Sequence, residues 1–191
     1  MTEVVLFHHV QGLTEGVRRL ADELRAGGHV VHTPDFFTGA TFASIDDGFA
    51  AVRARGEGAV DAWADALVAD LPDALVYVGV SLGVMTAQRL AQTRPGALGA
   101  VLLEACVPAS EFGSGWPVGV PVQVHGMEHD PFFGLEGDVD AARELVASVD
   151  DGELFVYPGD AHLFTDSSLP SYDEAATAMV VERALGLLAR T

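Results

Sequence analysis

Five residues, Gly79-Val80-Ser81-Leu82-Gly83, constrain this chain more than any other stretch. They follow the apolar run 74–78 and open the helix-like stretch Leu82–Thr93. A strand that passes into a helix through a serine, with glycine two positions to either side, makes a very tight turn. Only residues without bulk fit where strand and helix nearly touch, and the serine backbone is strained. The chemical consequence is local. The serine oxygen stands exposed at the carboxyl edge of a sheet. The Leu82 amide, at a helix N-terminus, faces any oxyanion formed beside it.

The rest of the chain alternates in the same way. Residues 3–8, 29–32, 74–78, 100–104, 120–125 and 154–157 read as short apolar strands. Residues 14–26, 45–55, 59–71, 82–93, 138–149 and 171–189 read as helices between them. Thr14 is the expected N-cap of the first helix, and Gly27-Gly28 its stop. This βαβ repetition predicts an α/β fold, a parallel sheet covered by helices on both faces. At 191 residues it predicts one domain. In such sheets, sites form beyond the carboxyl ends of the strands.

What stands there is informative. His8 and His9 follow the first strand, and Asp35-Phe36-Phe37 the second. Ser81 follows the third and Cys106 the fourth. His129-Asp130 comes soon after the fifth, and His162 after the last. A serine nucleophile needs a base to take its proton and a carboxylate to orient that base. Ser81, Asp130 and His162 satisfy the order nucleophile, acid, base, each after a successive strand. Glu128 and Asp160 are the rival acids. Cys106 lacks the glycine turn and reads as a buried or pocket-wall thiol. His29 and His32 alternate on the second strand and read as structural.

Three segments carry a resemblance. Tyr157-Pro158-Gly159-Asp160-Ala161-His162-Leu163-Phe164 is similar to the Y-P-G-A-x-H-x-F signature of the dienelactone hydrolase family. His125-Gly126-Met127-Glu128-His129-Asp130-Pro131 resembles its H-x-G-x-x-D-x-x-x-P segment, and Thr33 to Gly39 its P-D-L-F/Y segment. The similarity spans residues 4–188. It implies an α/β-hydrolase-type three-layer sandwich without a large lid; with Ser81 as the nucleophile, the expected activity is serine-dependent hydrolysis of a small carboxylic ester or lactone through an acyl-enzyme. It implies Ser81, Asp130 and His162 as nucleophile, acid and base, with the backbone amide of Val10 as the second oxyanion donor beside Leu82. The departures are specific. The nucleophile usual in that family is cysteine; here it is serine. His9 stands where the family carries a glutamate, and no arginine follows His162 closely. Arg53 and Arg55 are the candidates for a substrate anchor.

Several classes are disfavoured by composition. The net charge is −18, with 10 basic and 28 acidic residues, so nucleic acid and anionic membranes are not expected partners. All ten basic residues are arginines, which excludes a P-loop lysine, a Schiff-base lysine and a Ser-Lys dyad. With one cysteine the chain can form no internal disulfide. The N-terminus lacks a basic region and a long apolar stretch, so a cytoplasmic location is expected. The expected partner is a small-molecule substrate, a homodimer being compatible, and no cofactor is expected. His9, Phe36, Phe37, Trp116, Phe132 and Phe133 are the expected pocket walls. Two other readings compete. One is a metal-dependent hydrolase using His125, His129, Asp130 and His162. The other is a non-catalytic small-molecule-binding protein on a hydrolase fold.

Overall fold

The structure, a computed structural model, describes residues 1–113 and 115–191. Six strands, all parallel, form one sheet in the order β2-β1-β3-β4-β5-β6. They are β1 (Glu3–Phe7), β2 (Val30–His32), β3 (Leu75–Val80), β4 (Ala97–Leu103), β5 (Val122–Met127) and β6 (Gly152–Tyr157). The helices are α1 (Glu15–Ala26), α2 (Ile45–Arg55), α3 (Ala59–Val68), α4 (Leu82–Thr93), α5 (Asp138–Ser148) and α6 (Glu174–Leu188).

Alternation within the strands sorts side chains between two cores. Val4 and Leu6 of β1, Val76 and Val78 of β3, and Val101 and Leu103 of β4 pack with α1 and α6 on one face. Val5, Phe7, Leu75, Tyr77, Ala100 and Leu102 pack with α3, α4 and α5 on the other. Every residue of β3 is buried, as expected of a strand covered on both sides. The result is the three-layer α/β-hydrolase-type sandwich, with a sheet that is wholly rather than mostly parallel.

Boundaries shift from the sequence reading mainly at the strands. β3 runs on to Val80, directly into the serine turn, and β4 begins at Ala97. Caps explain the firmer helix limits. The Thr14 hydroxyl accepts the Val17 N–H, Ser44 accepts from Asp47, and Asp173 accepts from Ala176. Among the described residues no helix is long and apolar enough to cross a membrane.

The strand order changes direction beside β1. The chain steps from β1 to β2 on one side and returns to β3 on the other. Loops after β1 and β3 therefore diverge, and the crevice between their carboxyl ends is where such a sheet accommodates a ligand. Ser81 stands at that crevice.

Candidate active site

Ser81 has φ 49 and ψ −112, a conformation costly for a residue with a side chain. The turn is fixed from several sides. The Ser81 N–H donates to the Leu103 carbonyl at 2.8 Å, and the Ser81 carbonyl accepts the Val84 N–H at 2.8 Å. The two glycines are required by close approach. A Cβ at Gly79 would sit 2.5 Å from the Gly83 carbonyl oxygen, and one at Gly83 would sit 2.2 Å from the Phe7 carbonyl oxygen. Strand β3, helix α4 and the end of β1 thus meet at backbone distance, and the hydroxyl has only the cavity to point into.

The structure brings the three sequence-predicted residues together. Ser81 Oγ lies 2.8 Å from His162 Nε2, and His162 Nδ1 lies 2.7 Å from Asp130 Oδ2. Because Nδ1 faces a carboxylate it carries the proton and donates. Nε2 is left as acceptor for the Ser81 hydroxyl. Asp130 is wholly buried, and its second oxygen accepts the Phe132 N–H at 2.8 Å. The rival acids Glu128 and Asp160 are exposed. The Phe132 ring lies 4.5 Å from the His162 ring and leaves the imidazole side chain only 8% exposed. A hydroxyl, a base that can take its proton, and a buried carboxylate that fixes the base are the parts general-base catalysis at an alcohol requires.

The cavity beside Ser81 measures about 210 Å³. Helix α2 contributes Ile45 and Phe49, and α4 contributes Leu82 and Met85. Glu104, Ala105, Phe132, Glu136, Asp138 and His162 complete the wall. Of the expected pocket residues only Phe132 lines this cavity. The others lie elsewhere, each for a visible reason. His9 is wholly buried, with Nε2 2.7 Å from Asp166 Oδ2 and Nδ1 accepting the Gln11 N–H at 3.2 Å. Phe36 and Phe37 are buried in an aromatic cluster, with ring centroids 5.2 Å from Trp63 and 4.9 Å from Phe42 respectively. Trp116 packs on the α4–α5 core and donates its indole N–H to the Val120 carbonyl at 2.8 Å. Phe133 is fully buried in the same core.

The backbone positions expected to face an oxyanion differ in placement. Leu82 lines the cavity with Ser81, at the N-terminus of α4, where N–H groups lack helical partners. Val10 is buried in the loop after β1 and does not form part of the cavity wall. That loop is braced by His8. Its Nδ1 donates to the His9 carbonyl at 2.7 Å and its Nε2 accepts the Phe36 N–H at 3.1 Å. Both bonds require the neutral ring, and burial pushes the His8 pKa down, outweighing the opposing pull of the His9 carbonyl and Asp35.

The remaining expectations resolve similarly. The Arg55 guanidinium lies 4.7 Å over the Phe36 ring, whereas Arg53 borders a neighbouring groove that shares Leu82 and Met85 with the cavity. Cys106 is buried and its thiol is pushed up to about 12 by burial and then by Asp138, so it holds no thiolate near neutrality. His125 is bonded to Tyr157 and His129 is exposed, so the alternative metal-binding set does not converge. Among the described residues no group of three or more such side chains could hold a metal ion.

The cavity residue that sequence reasoning missed is Glu104. It stands at the carboxyl end of β4 with φ 67, and the rule about strand ends points to it, but it reads as one more residue of an apolar run. Glu136 and Asp138 went unmarked because they look like ordinary acids around a helix start.

Comparison with known proteins gives a family and a shared fold. A family model described as the dienelactone hydrolase family matches residues 1–191. No curated protein matches the chain. Among solved structures, a candidate dienelactone hydrolase of Klebsiella pneumoniae superposes with a TM-score of 0.73 at 20% identity, covering 100% of this chain and 88% of that one. A dienelactone hydrolase-like promiscuous phosphotriesterase from metagenomic libraries gives 0.74 at 21%, covering 100% and 86%. An esterase of Pyrococcus furiosus gives 0.68 at 15%, covering 99% and 83%. At these identities the likeness is one of fold.

Proposed function

The chain belongs to the dienelactone hydrolase family, and from that premise we propose that it hydrolyses small carboxylic esters or lactones with Ser81 as nucleophile, through an acyl-enzyme. The family and the solved neighbours support a hydrolase. The observation that carries the finer reading is the unbroken chain Ser81 Oγ, His162 Nε2, His162 Nδ1, Asp130 Oδ2, at 2.8 and 2.7 Å.

The steps follow from those contacts. A serine hydroxyl does not ionise near neutral pH, so its proton passes to His162 Nε2 as Oγ attacks the ester carbonyl carbon. Asp130 holds the ring in the correct tautomer and faces the imidazolium that forms. The negative oxygen of the tetrahedral intermediate lies against the Leu82 amide at the start of α4. On collapse the carbonyl reforms, the bond to the alcohol oxygen breaks, and that oxygen takes the proton from His162. Water then gives its proton to His162, attacks the acyl carbon, and Ser81 recovers its hydrogen as the acid leaves. In a lactone both products are one molecule.

The test is a panel of short-chain esters and lactones measured with a Ser81→Ala control, together with labelling by a fluorophosphonate. Rapid labelling of the parent at Ser81, and loss of turnover in the alanine variant, is the expected result. A parent protein that neither labels nor turns over any of the panel is a binding protein on this fold, and the reading is then wrong.

A further inference from the structure

The space beside Ser81 continues beyond the cavity. Leu82 and Met85, three residues apart on α4, line both the cavity and a groove between α2, α3 and α4. The groove measures about 420 Å³, against about 210 Å³ for the cavity.

Apolar side chains mark the whole path. Ile45, Phe49 and Val52 of α2 are spaced i, i+4 and i+7, which sets them on one helix face. At a rise of 1.5 Å per residue this stripe runs about 10 Å. Ile45 and Phe49 line the cavity, and Val52 lines the groove together with Val60 of α3. Phe49, Val52, Val60 and Leu82 are half-buried, yet none belongs to either core. A surface helix ordinarily turns its apolar stripe to the core. Helix α2 is seated differently. The only residue it buries is Gly48, where a Cβ would sit 2.3 Å from the Val10 carbonyl oxygen. Backbone approach thus holds the helix, and its apolar stripe is left to line the path from Ser81. Charge enters only at the rim of the groove, with the exposed residues Arg53, Glu57 and Asp61.

The chemistry of the triad says which part of an ester enters. His162 returns its proton to the alcohol oxygen, so the alcohol lies beside His162 and Phe132, whose rings are 4.5 Å apart. Both line the cavity and neither lines the groove. The oxyanion lies against the Leu82 amide. The third substituent of the carbonyl carbon, the acyl chain, is the one left to pass Leu82 and Met85.

We propose that the groove between α2, α3 and α4 is an acyl-chain site, and that the preferred substrates are esters of medium-length apolar acids. This rests on the hydrolase reading above and narrows its substrate class.

The experiment holds the leaving group constant and lengthens the acid, with 4-nitrophenyl acetate, butanoate and hexanoate. From acetate to hexanoate kcat/KM should rise by about tenfold or more, which is about twofold per methylene and half the worth of burying a CH₂ completely. Lengthening the alcohol instead, from ethyl to hexyl acetate, should change kcat/KM by less than about threefold. Ala59 lines the groove at the start of α3 and is half-buried. Ala59→Trp places an indole in the groove and should bring the hexanoate-to-acetate ratio within about threefold. Val52→Ser is the milder change and should lower the ratio in the same direction by a smaller factor. Calorimetry on the Ser81→Ala protein reads the groove without turnover. Hexanamide should bind about tenfold more tightly than acetamide, and adding Ala59→Trp should remove most of that difference.

A hexanoate-to-acetate ratio near one, with turnover abolished by Ser81→Ala, would overturn the acyl site and leave the hydrolase standing. A rate that climbs with the alcohol chain instead, or a ratio that both Ala59→Trp and Val52→Ser leave at the parental value, would do the same. Hexanamide binding that Ala59→Trp weakens, without turnover of any ester, would keep the groove as a site for an apolar chain and remove the hydrolase. Neither binding nor turnover would remove both.

Discussion

Two histidines near the carboxyl edge of this sheet pair at 2.7 Å with fully buried carboxylates, and only one of these pairs reaches the Ser81 cavity. His162 and Asp130 are 2.7 Å apart, and so are His9 and Asp166. Each pair also has a hydroxyl within reach, Ser81 in one case and Thr14 in the other. The arrangement differs in where the free valence goes. In the first, Nδ1–H faces the acid and Nε2 faces the hydroxyl, so the ring can receive the serine proton. In the second, His9 Nε2 faces the acid and Nδ1 already accepts the Gln11 N–H. The Thr14 hydroxyl donates to Asp166 and accepts the Val17 N–H as the cap of α1. No ring nitrogen is left over, and neither side chain lines the Ser81 cavity. A His–Asp–hydroxyl constellation is therefore a motif of buried polar satisfaction as readily as one of catalysis. The strained backbone of Ser81 at the head of α4, and an accepting nitrogen beside it, separate the two.

The sharpest way to break this contrast is to remove each hydroxyl or acid in turn. Ser81→Ala should lower kcat by about 10³-fold or more, with a small residual rate from the remaining amide donors and an unchanged melting temperature. An alanine variant as active as its parent would end the comparison. Next in size is Asp166→Asn. Burial works against the Asp166 charge, but hydrogen bonds from His9, Ser168 and Thr14 outweigh it and hold the carboxyl down to about 2. Breaking such a buried network costs about 3 kcal/mol or more in stability. The kcat of the folded fraction should fall less than about tenfold, since no Asp166 atom faces the cavity. Chemical denaturation with parallel kinetics measures both. A kcat loss as large as that of Ser81→Ala, without loss of stability, would place His9–Asp166 in the chemistry after all.

The contrast also explains what the residues reveal before any coordinates. Ser81, Asp130 and His162 are legible because each follows a strand, and strand ends are recognisable from apolar runs. The glycines at 79 and 83 announce a backbone contact that no other residue permits. The His9 network is illegible, because pairing residue 9 with residue 166 depends on how two loops lie across the sheet. Phe36 and Phe37 mislead for a related reason. Asp35 folds their segment into a turn, accepting the Phe37 N–H at 2.9 Å and the Gly39 N–H at 2.6 Å, and this turns the rings toward Trp63 instead of Ser81. The real wall comes from α2, whose Ile45 and Phe49 are unremarkable in a helix that exposes most of its surface. A cavity assembled from distant elements leaves little trace in any one of them.

A smaller effect sharpens the comparison on the substrate side. His162 has no arginine after it, and the cavity is lined by acids. A neutral acetyl or butyryl aryl ester should exceed a carboxylate-bearing dienelactone in kcat/KM by about tenfold to a hundredfold, the worth of one missing charged hydrogen bond. The difference should narrow as salt is added. A dienelactone rate well above that of the neutral ester would reveal an anion site, with Arg53 the first residue to substitute.

The smallest effect concerns a further histidine, wholly buried on β5. His125 lies in a directed chain: Arg183 donates to the Tyr157 oxygen at 2.9 Å, and Tyr157 donates to His125 Nδ1 at 2.9 Å. His125 Nε2 faces Gln123 Oε1 at 3.4 Å, and Gln123 donates to Glu153 at 2.9 Å. The Tyr157 link requires the neutral ring, because Nδ1 can accept only when it carries no proton. Burial, and then the Arg183 charge, pushes His125 down to about 3 from an ordinary value of 6.5. The sign follows. An unfolded chain takes up the proton near 6.5 and the folded one does not until about 3, so stability is complete above 6.5 and is lost as pH falls between those values. From pH 7 to 5.5 the loss should be about 1 kcal/mol from this residue. His8, also depressed, adds to it in the same direction. Urea denaturation at the two pH values measures the total, and His125→Gln should flatten the slope. A His125→Gln protein with the full parental slope would mean that another group carries the acid sensitivity.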